Sequence, residues 1–383
     1  MSLSSFRFNR TNMTLKDRFT RLSWFYIFLI CLVAATGLVV LYAAANGNWN
    51  PWASKQFVRF CLGFSVMIVV GMTNLRFWLK YAYAFYTVAV IMLFIVEFFG
   101  HDAMGAQRWL NLGFIKVQPS ELMKIALILA LSRYFHGGSL QDAQSMSYLV
   151  APSLMVLLPV ALVLKQPDLG TAVLMASGAV ILFFLVGVQM WKFGVMACVG
   201  LISLPIGWRF LHDYQKERVY TFLDPERDPL GKGYHILQSK ITLGSGGIFG
   251  KGFLQGTQSR LNFLPEKQTD FIFTVLAEEF GLIGSVSLLM LYLALIFYGC
   301  LIAFRSTSFF GRLLALGLSA NLFLYVFINI AMVMGLLPVV GVPLPMISYG
   351  GTVMLTLMFS FGLIECVNVN RDVQIGRRGA YDD

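Results

Sequence analysis

Ten apolar stretches recur along the chain, at about 24–44, 56–73, 80–99, 119–135, 147–164, 169–187, 190–211, 271–303, 312–335 and 347–368. A helix rises ~1.5 Å per residue and a bilayer's hydrocarbon core is ~30 Å thick, so runs near twenty residues predict membrane-spanning helices. The connections are short and polar except for residues 212–270, a long polar segment holding the cluster Gly244, Gly246, Gly247, Gly250 and Gly252. The pattern predicts an all-α polytopic membrane protein of about ten transmembrane helices with one long loop. Residues 1–23 form an N-terminal tail, 24–368 a single transmembrane domain, and 369–383 a C-terminal tail.

Three stretches depart from the plain pattern. The fourth run is short, with Glu121 and Lys124 in its first turn. The run after Asp270 is too long for one perpendicular span, so it is expected to tilt or to project at one end. Leu337–Tyr349 cannot be continuous helix, because Pro338, Pro343 and Pro345 each remove a donor. It reads as an ordered outer loop, re-entrant if its backbone is buried in protein.

Composition supports the membrane reading: 57% of residues are hydrophobic and only 13% charged, unlike a soluble domain. The net charge of +10 would suggest nucleic acid on a soluble chain. Here the basic residues sit in short loops and tails, which suits membrane topology and anionic headgroups instead. Arg7, Arg10, Lys16, Arg18 and Arg21 precede the first run and orient its start to the cytoplasm. Counting onward puts Arg76, Lys80, Arg133, Lys192, Arg305, Arg312, Arg371, Arg377 and Arg378 on that side, with Arg108, Lys116 and Lys165 as exceptions opposite. Both termini are then cytoplasmic, and 212–270 is a large extracytoplasmic loop. Ala43-Ala44-Ala45 resembles a signal-peptidase site, but the preceding run exceeds a signal segment and more spans follow, so an uncleaved first helix is expected. The five cysteines lie in apolar stretches without CxxC spacing and read as packing residues.

Three outward segments carry polar residues that packing alone does not require. In GAQRWLNLGFIKVQPSELMK these are Arg108, Trp109, Lys116, Glu121 and Lys124. Pro119 and Ser120 suit a helix start, so Glu121 and Lys124 fall three apart on one face and can pair. That pair is either a packing device or part of a charged cavity. In KQPDLGT, Asp168 reads as turn and N-cap chemistry. In the long loop, LGSGGIFGKG follows no strand and has no dinucleotide or Walker spacing, which argues against a nucleotide site. Its glycines allow close backbone approach, and exposed N–H groups there could cradle an anion. Asp270 stands where polar chain gives way to apolar run. It is either a helix-terminal charge, favourable by roughly 0.3–1 kcal/mol, or a functional acid at the membrane edge. Glu278 and Glu279 lie deeper in that run and call for a partner, with Lys124 or an arginine as candidates, or for protonation.

The chain resembles the SEDS family (shape, elongation, division and sporulation) over nearly its whole length. The likeness is carried by GAQRWLNLGFIKVQPSELMKIA, QPDLGTA, HDYQKERVYTFLDPERDPLGKGYHILQSK, GSGGIFGKGFLQGTQSRLNFLPEKQTDFIFTVLAEEFG and GVPLPMISYGG. GYHILQSK and GKGFLQGTQS favour the elongation-specific members over the division members. The resemblance implies an inner-membrane peptidoglycan glycosyltransferase that polymerises lipid II into β-1,4 glycan strands on the periplasmic face during elongation. It also implies a class B penicillin-binding protein as transpeptidase partner, and other elongasome proteins. The essential aspartate of the TDFIF motif maps to Asp270, the cavity tryptophan of GAQRW to Trp109 beside Arg108, and the PSE–K pair to Glu121 and Lys124. Gln268 stands where the family often has His, which argues against a His-assisted scheme, and Thr242 where it often has Ala.

The chemistry so implied is an inverting displacement of undecaprenyl diphosphate with Asp270 as base. Arg108, Lys124 and Arg218 would bind substrate and stabilise the departing diphosphate. A divalent cation, Mg2+ or Mn2+, is an alternative stabiliser of that charge, with Asp270 and Glu121 as candidate ligands. A lipid II flippase is the alternative, and a non-catalytic scaffold for the transpeptidase a third reading.

Overall fold

The computed structural model describes residues 13–99, 101–103, 106–111, 116–210, 213–224, 232–260 and 267–376. Arg7, Arg10, Arg377 and Arg378 lie outside the described residues, as do the side chains of Lys116 and Arg218. The long helices are α1 (Trp24–Ala44), α2 (Trp52–Gly71), α3 (Leu75–Phe99), α4 (Pro119–Gly137), α5 (Met146–Lys165), α6 (Leu169–Val186), α7 (Met190–Phe210), α8 (Ile272–Arg305), α9 (Phe309–Val333) and α10 (Gly351–Val369). Each of the ten apolar runs is thus a helix. Among the described residues, eight of these helices are both long and apolar enough to cross a membrane. In α4 the charged side chains Glu121, Lys124 and Arg133 lower the apolarity. The chain is a multi-pass, all-α membrane protein.

Burial orders the bundle. The most apolar windows of α9 and α10 are 83% and 89% buried, against 28% for α2 and α5, so the former are central and the latter face lipid. α2 and α10 run parallel with glycines at the seam. A Cβ on Gly63 would meet Met358 at 2.7 Å, and one on Gly362 would meet the Met67 carbonyl at 2.8 Å. Small residues there let the two backbones approach, as membrane packing favours.

Two local features correct the sequence expectations. α8 is not one tilted rod, because Gly281 (φ 66°, ψ −159°) breaks it. The glycine cluster docks on that break. Lys251 and Gly252 donate backbone N–H groups to the Glu278 and Glu279 carbonyls at 3.0 and 3.1 Å, and Leu282 and Ile283 donate back to Gly247 and Ile248 at 2.9 and 3.2 Å. The Lys251 and Gly252 N–H groups therefore satisfy helix-end carbonyls while those of Gly247 and Gly250 bond within the turn, and the anion-cradle reading falls. A Cβ on Gly250 would lie 2.1 Å from the Glu279 carbonyl oxygen, which explains the glycine. The second feature is a small antiparallel sheet, β1 (His101–Ala103), β2 (Ala106–Asn111) and β3 (Lys116–Val117), in that order, between α3 and α4.

The first and last described segments meet at one end of the bundle. Arg18 donates to the Met72 carbonyl at 2.6 Å, and Arg21 pairs with Asp372 at 3.1 Å. Thr307 donates its N–H to the Arg371 carbonyl at 2.9 Å. The sheet, the 166–168 turn, the glycine turn and the Pro-rich loop gather at the opposite end. That loop is non-helical over 334–350, and its Leu344, Met346 and Ile347 are buried. Its backbone is held in protein, as expected: the Tyr292 hydroxyl donates to the Pro345 carbonyl.

Candidate active site

Asp270 lies in a turn just before α8, with Phe271 as N-cap, and is half-buried. Three successive main-chain carbonyls fix this turn. Gln268 accepts from the Tyr349 N–H at 2.8 Å. Thr269 accepts from the Ser348 hydroxyl at 2.6 Å, and Asp270 from Asn329 Nδ2 at 2.9 Å. The same Asn329 nitrogen donates to the Val342 carbonyl at 2.7 Å, and Ser348 Oγ accepts the Leu344 N–H at 2.7 Å. The Pro-rich loop is thus the splint of the Asp270 turn. Gly341 (φ 74°) lets it pass close by, since a Cβ there would come 3.5 Å from Asp270 Oδ2. Beside the turn, burial pulls the Lys267 ammonium below the usual lysine value.

Glu121 and Lys124 pair as their spacing predicts, at 2.6 Å with both residues buried. A third member was not foreseen. The Tyr325 hydroxyl donates to Glu121 Oε2 at 2.6 Å, Lys124 Nζ also contacts that hydroxyl, and the ammonium sits 4.3 Å from the Tyr325 ring centroid. Tyr325 and Asn329 are four residues apart on α9, so one helix face carries both the Glu121 cluster and the Asp270 splint. A tyrosine and an asparagine at i, i+4 in an apolar run were the signal available for this.

Arg108 and Trp109 sit half-buried in β2. Arg108 donates to the Gln166 carbonyl at 3.2 Å and to the Pro167 carbonyl, with Asp168 3.9 Å away. Asp168 is the N-cap of α6, as expected, accepting from the Thr171 N–H at 3.3 Å and hydroxyl at 2.9 Å. It also takes Gln118 Nε2 at 3.2 Å, which joins this turn to the start of α4. Arg218 belongs to a helix over Asp213–Leu223.

The partner expected for Glu278 is corrected. Among the described residues neither Lys124 nor an arginine pairs with it. Lys251 of the glycine turn does, at 2.8 Å, with the Gln258 N–H also at 2.8 Å. The divalent-cation expectation meets a similar obstacle. Both Glu121 oxygens are committed, one of them to an ammonium. Among the described residues no group of three or more His, Cys, Asp or Glu is arranged for a metal. Glu121 with Asp270 therefore does not fit Mg2+ or Mn2+ as a donor set, and no step below passes through a metal.

Known proteins match this chain closely. Residues 18–373 match the FTSW_RODA_SPOVE family, described as cell cycle proteins. The peptidoglycan glycosyltransferase MrdB of Escherichia coli K12 is 44% identical over 346 residues, covering 90% of this chain and 92% of that one. A chain of a solved peptidoglycan synthase complex, in which polymerization and crosslinking are coordinated, superposes with a TM-score of 0.80 at 31% identity, covering 94% of this chain and 99% of its own. The rod shape determining protein RodA of Thermus thermophilus superposes at 0.69 with 27% identity, covering 91% and 97%. With the motifs, the fold and these matches in agreement, the chain belongs to the FtsW/RodA/SpoVE family, the SEDS proteins.

Proposed function

We propose that the chain is a peptidoglycan glycosyltransferase that polymerises lipid II, with Asp270 as its general base. The observation that carries this is the Asp270 turn. It is a half-buried carboxylate at the head of a broken membrane helix, its main chain tied at three consecutive carbonyls. Such preorganisation suits a group that must meet a substrate atom in one geometry. In the reaction the acceptor's 4-hydroxyl loses its proton to Asp270 as its oxygen attacks the anomeric carbon of the donor. The carbon–oxygen bond to the diphosphate breaks, and the lipid diphosphate leaves with the electron pair. A single displacement turns the α-linked donor into a β-1,4 product.

Arg108 and Arg218 are read as the cations that meet the leaving charge. Lys124 is assigned to positioning, because Glu121 already balances its charge. The shared end of the first and last described segments fits cytoplasmic tails, with Asp270, the sheet and the long loop facing the periplasm. A class B penicillin-binding protein is the partner proposed, within the elongation machinery. Support comes from the relative solved in a peptidoglycan synthase complex.

The test is lipid II polymerisation by the purified chain with its transpeptidase, comparing wild type and Asp270→Asn. Glycan from wild type and none from an equally folded variant supports the assignment. Equal product from both moves the base elsewhere. Transbilayer movement of lipid II without polymer would favour the flippase.

A further inference from the structure

Arg59 is an arginine inside a membrane helix for which the described residues supply no counter-ion. It ends the second turn of α2, about 10 Å along the helix from Trp52. That is the end of the bundle that carries Asp270. Its guanidinium stacks over Tyr349, 4.6 Å from the ring centroid. It also lies against Gly351, where a Cβ would come within 3.3 Å of Cζ and Nε. Nη1 is buried and makes no hydrogen bond, and no carboxylate among the described residues pairs with this side chain. Charged groups at such depth are held by a partner, and where the chain offers none a ligand is the expected one.

The surroundings specify the ligand's chemistry. Lys55 is exposed four residues earlier, so two cations share one face of α2. The guanidinium also stands beside the start of α10, whose N-cap Gly350 has no side-chain cap. A cation is unfavourable next to the positive end of a helix, and an anion between the two would relieve both. Phe57, Val58 and Leu62 on the adjoining surface are exposed and apolar, which suits a hydrocarbon chain running beside the charged head. An anion with a hydrocarbon chain at the membrane edge is a lipid phosphate, which a planar guanidinium can grip with two parallel hydrogen bonds.

We propose that Arg59, assisted by Lys55, binds the phosphate of a membrane lipid at the Asp270 end of the bundle. The phosphate belongs either to a polyprenyl diphosphate or to a phospholipid headgroup. The loop that carries Tyr349 links this site to the Asp270 turn: Gln56 donates to the Ser348 carbonyl at 3.0 Å, while Ser348 and Tyr349 hold Thr269 and Gln268 from the other side. A lipid phosphate at Arg59 is therefore one loop away from Asp270. Only the choice of a polyprenyl probe rests on the glycosyltransferase reading.

The experiment measures binding, not turnover, so it stands whether or not that reading holds. The full chain in phosphate-free maltoside detergent is titrated with undecaprenyl diphosphate and with phosphatidylglycerol; undecaprenol and diacylglycerol serve as phosphate-free controls. Arg59→Gln should weaken phosphate-lipid binding roughly tenfold or more, as loss of a charge-assisted pair implies, and leave the controls unchanged. Loss confined to the diphosphate identifies a polyprenyl carrier, and equal loss for phosphatidylglycerol identifies a headgroup site. Unchanged affinity for both phosphate lipids overturns the proposal. Wild-type protein provides a readout that does not depend on how the variant folds. Undecaprenyl diphosphate or phosphatidylglycerol should slow phenylglyoxal modification of Arg59 while undecaprenol does not, and absence of protection by either phosphate lipid overturns the proposal equally.

Discussion

Glu121 and Glu278 are both buried and both held by a lysine, Lys124 in one case and Lys251 in the other. Asp270 is different in kind. What fixes it is a grip on its main chain, through Asn329, and on the two residues before it, through Ser348 and Tyr349. The first two acids spend their charge on closing the structure, one joining α4 to α9 and the other joining the glycine turn to the broken α8. A carboxylate so neutralised gains little from taking a substrate proton. An acid whose backbone is splinted can be aimed at one substrate atom.

The contrast can be broken residue by residue. The largest stability effect is expected at Lys251→Met, which takes the Lys251 ammonium away from buried Glu278. Removing one partner of a buried pair costs about 3–5 kcal/mol, and a melting curve would register it. Asn329→Leu comes next. Two carbonyls, one buried and one part-buried, lose their donor, at about 3 kcal/mol together, and kcat should fall much more than KM rises because the Asp270 turn loosens. A fall in melting temperature with kcat unchanged would make Asn329 a packing residue. Tyr325→Phe is the smallest. Glu121 keeps Lys124, so about 1 kcal/mol of stability is lost and most of the polymerisation rate remains.

The bundle was legible because apolar runs of membrane length have one reading. Boundaries slipped where polar residues continue a helix or apolar ones do not. α2 starts at Trp52 because Lys55 and Arg59 are helical, and α10 starts only at Gly351 because Ile347 is buried in the loop before it. The break at Gly281 was hidden because apolar residues flank it on both sides. Its clue lay 30 residues upstream, in glycines whose purpose shows only when the two segments touch. The local pairs, Glu121 with Lys124 and Asp168 with Thr171, followed from spacing. The long-range ones did not. Glu278 with Lys251, Glu121 with Tyr325 and Asp270 with Asn329 depend on which helices become neighbours, and hydrophobic periodicity carries no such information. β1 to β3 are two to six residues long, too short for alternation to stand out.

The most direct measurement sets Asp270→Asn beside Tyr325→Phe in one lipid II polymerisation assay, with melting recorded on the same preparations. A general base contributes roughly 10²–10⁴-fold, so Asp270→Asn should lose at least that factor in rate and melt like wild type. Tyr325→Phe should melt earlier and still polymerise. The account is contradicted if Asp270→Asn polymerises at the wild-type rate, or if Tyr325→Phe loses as much activity as Asp270→Asn while melting like wild type.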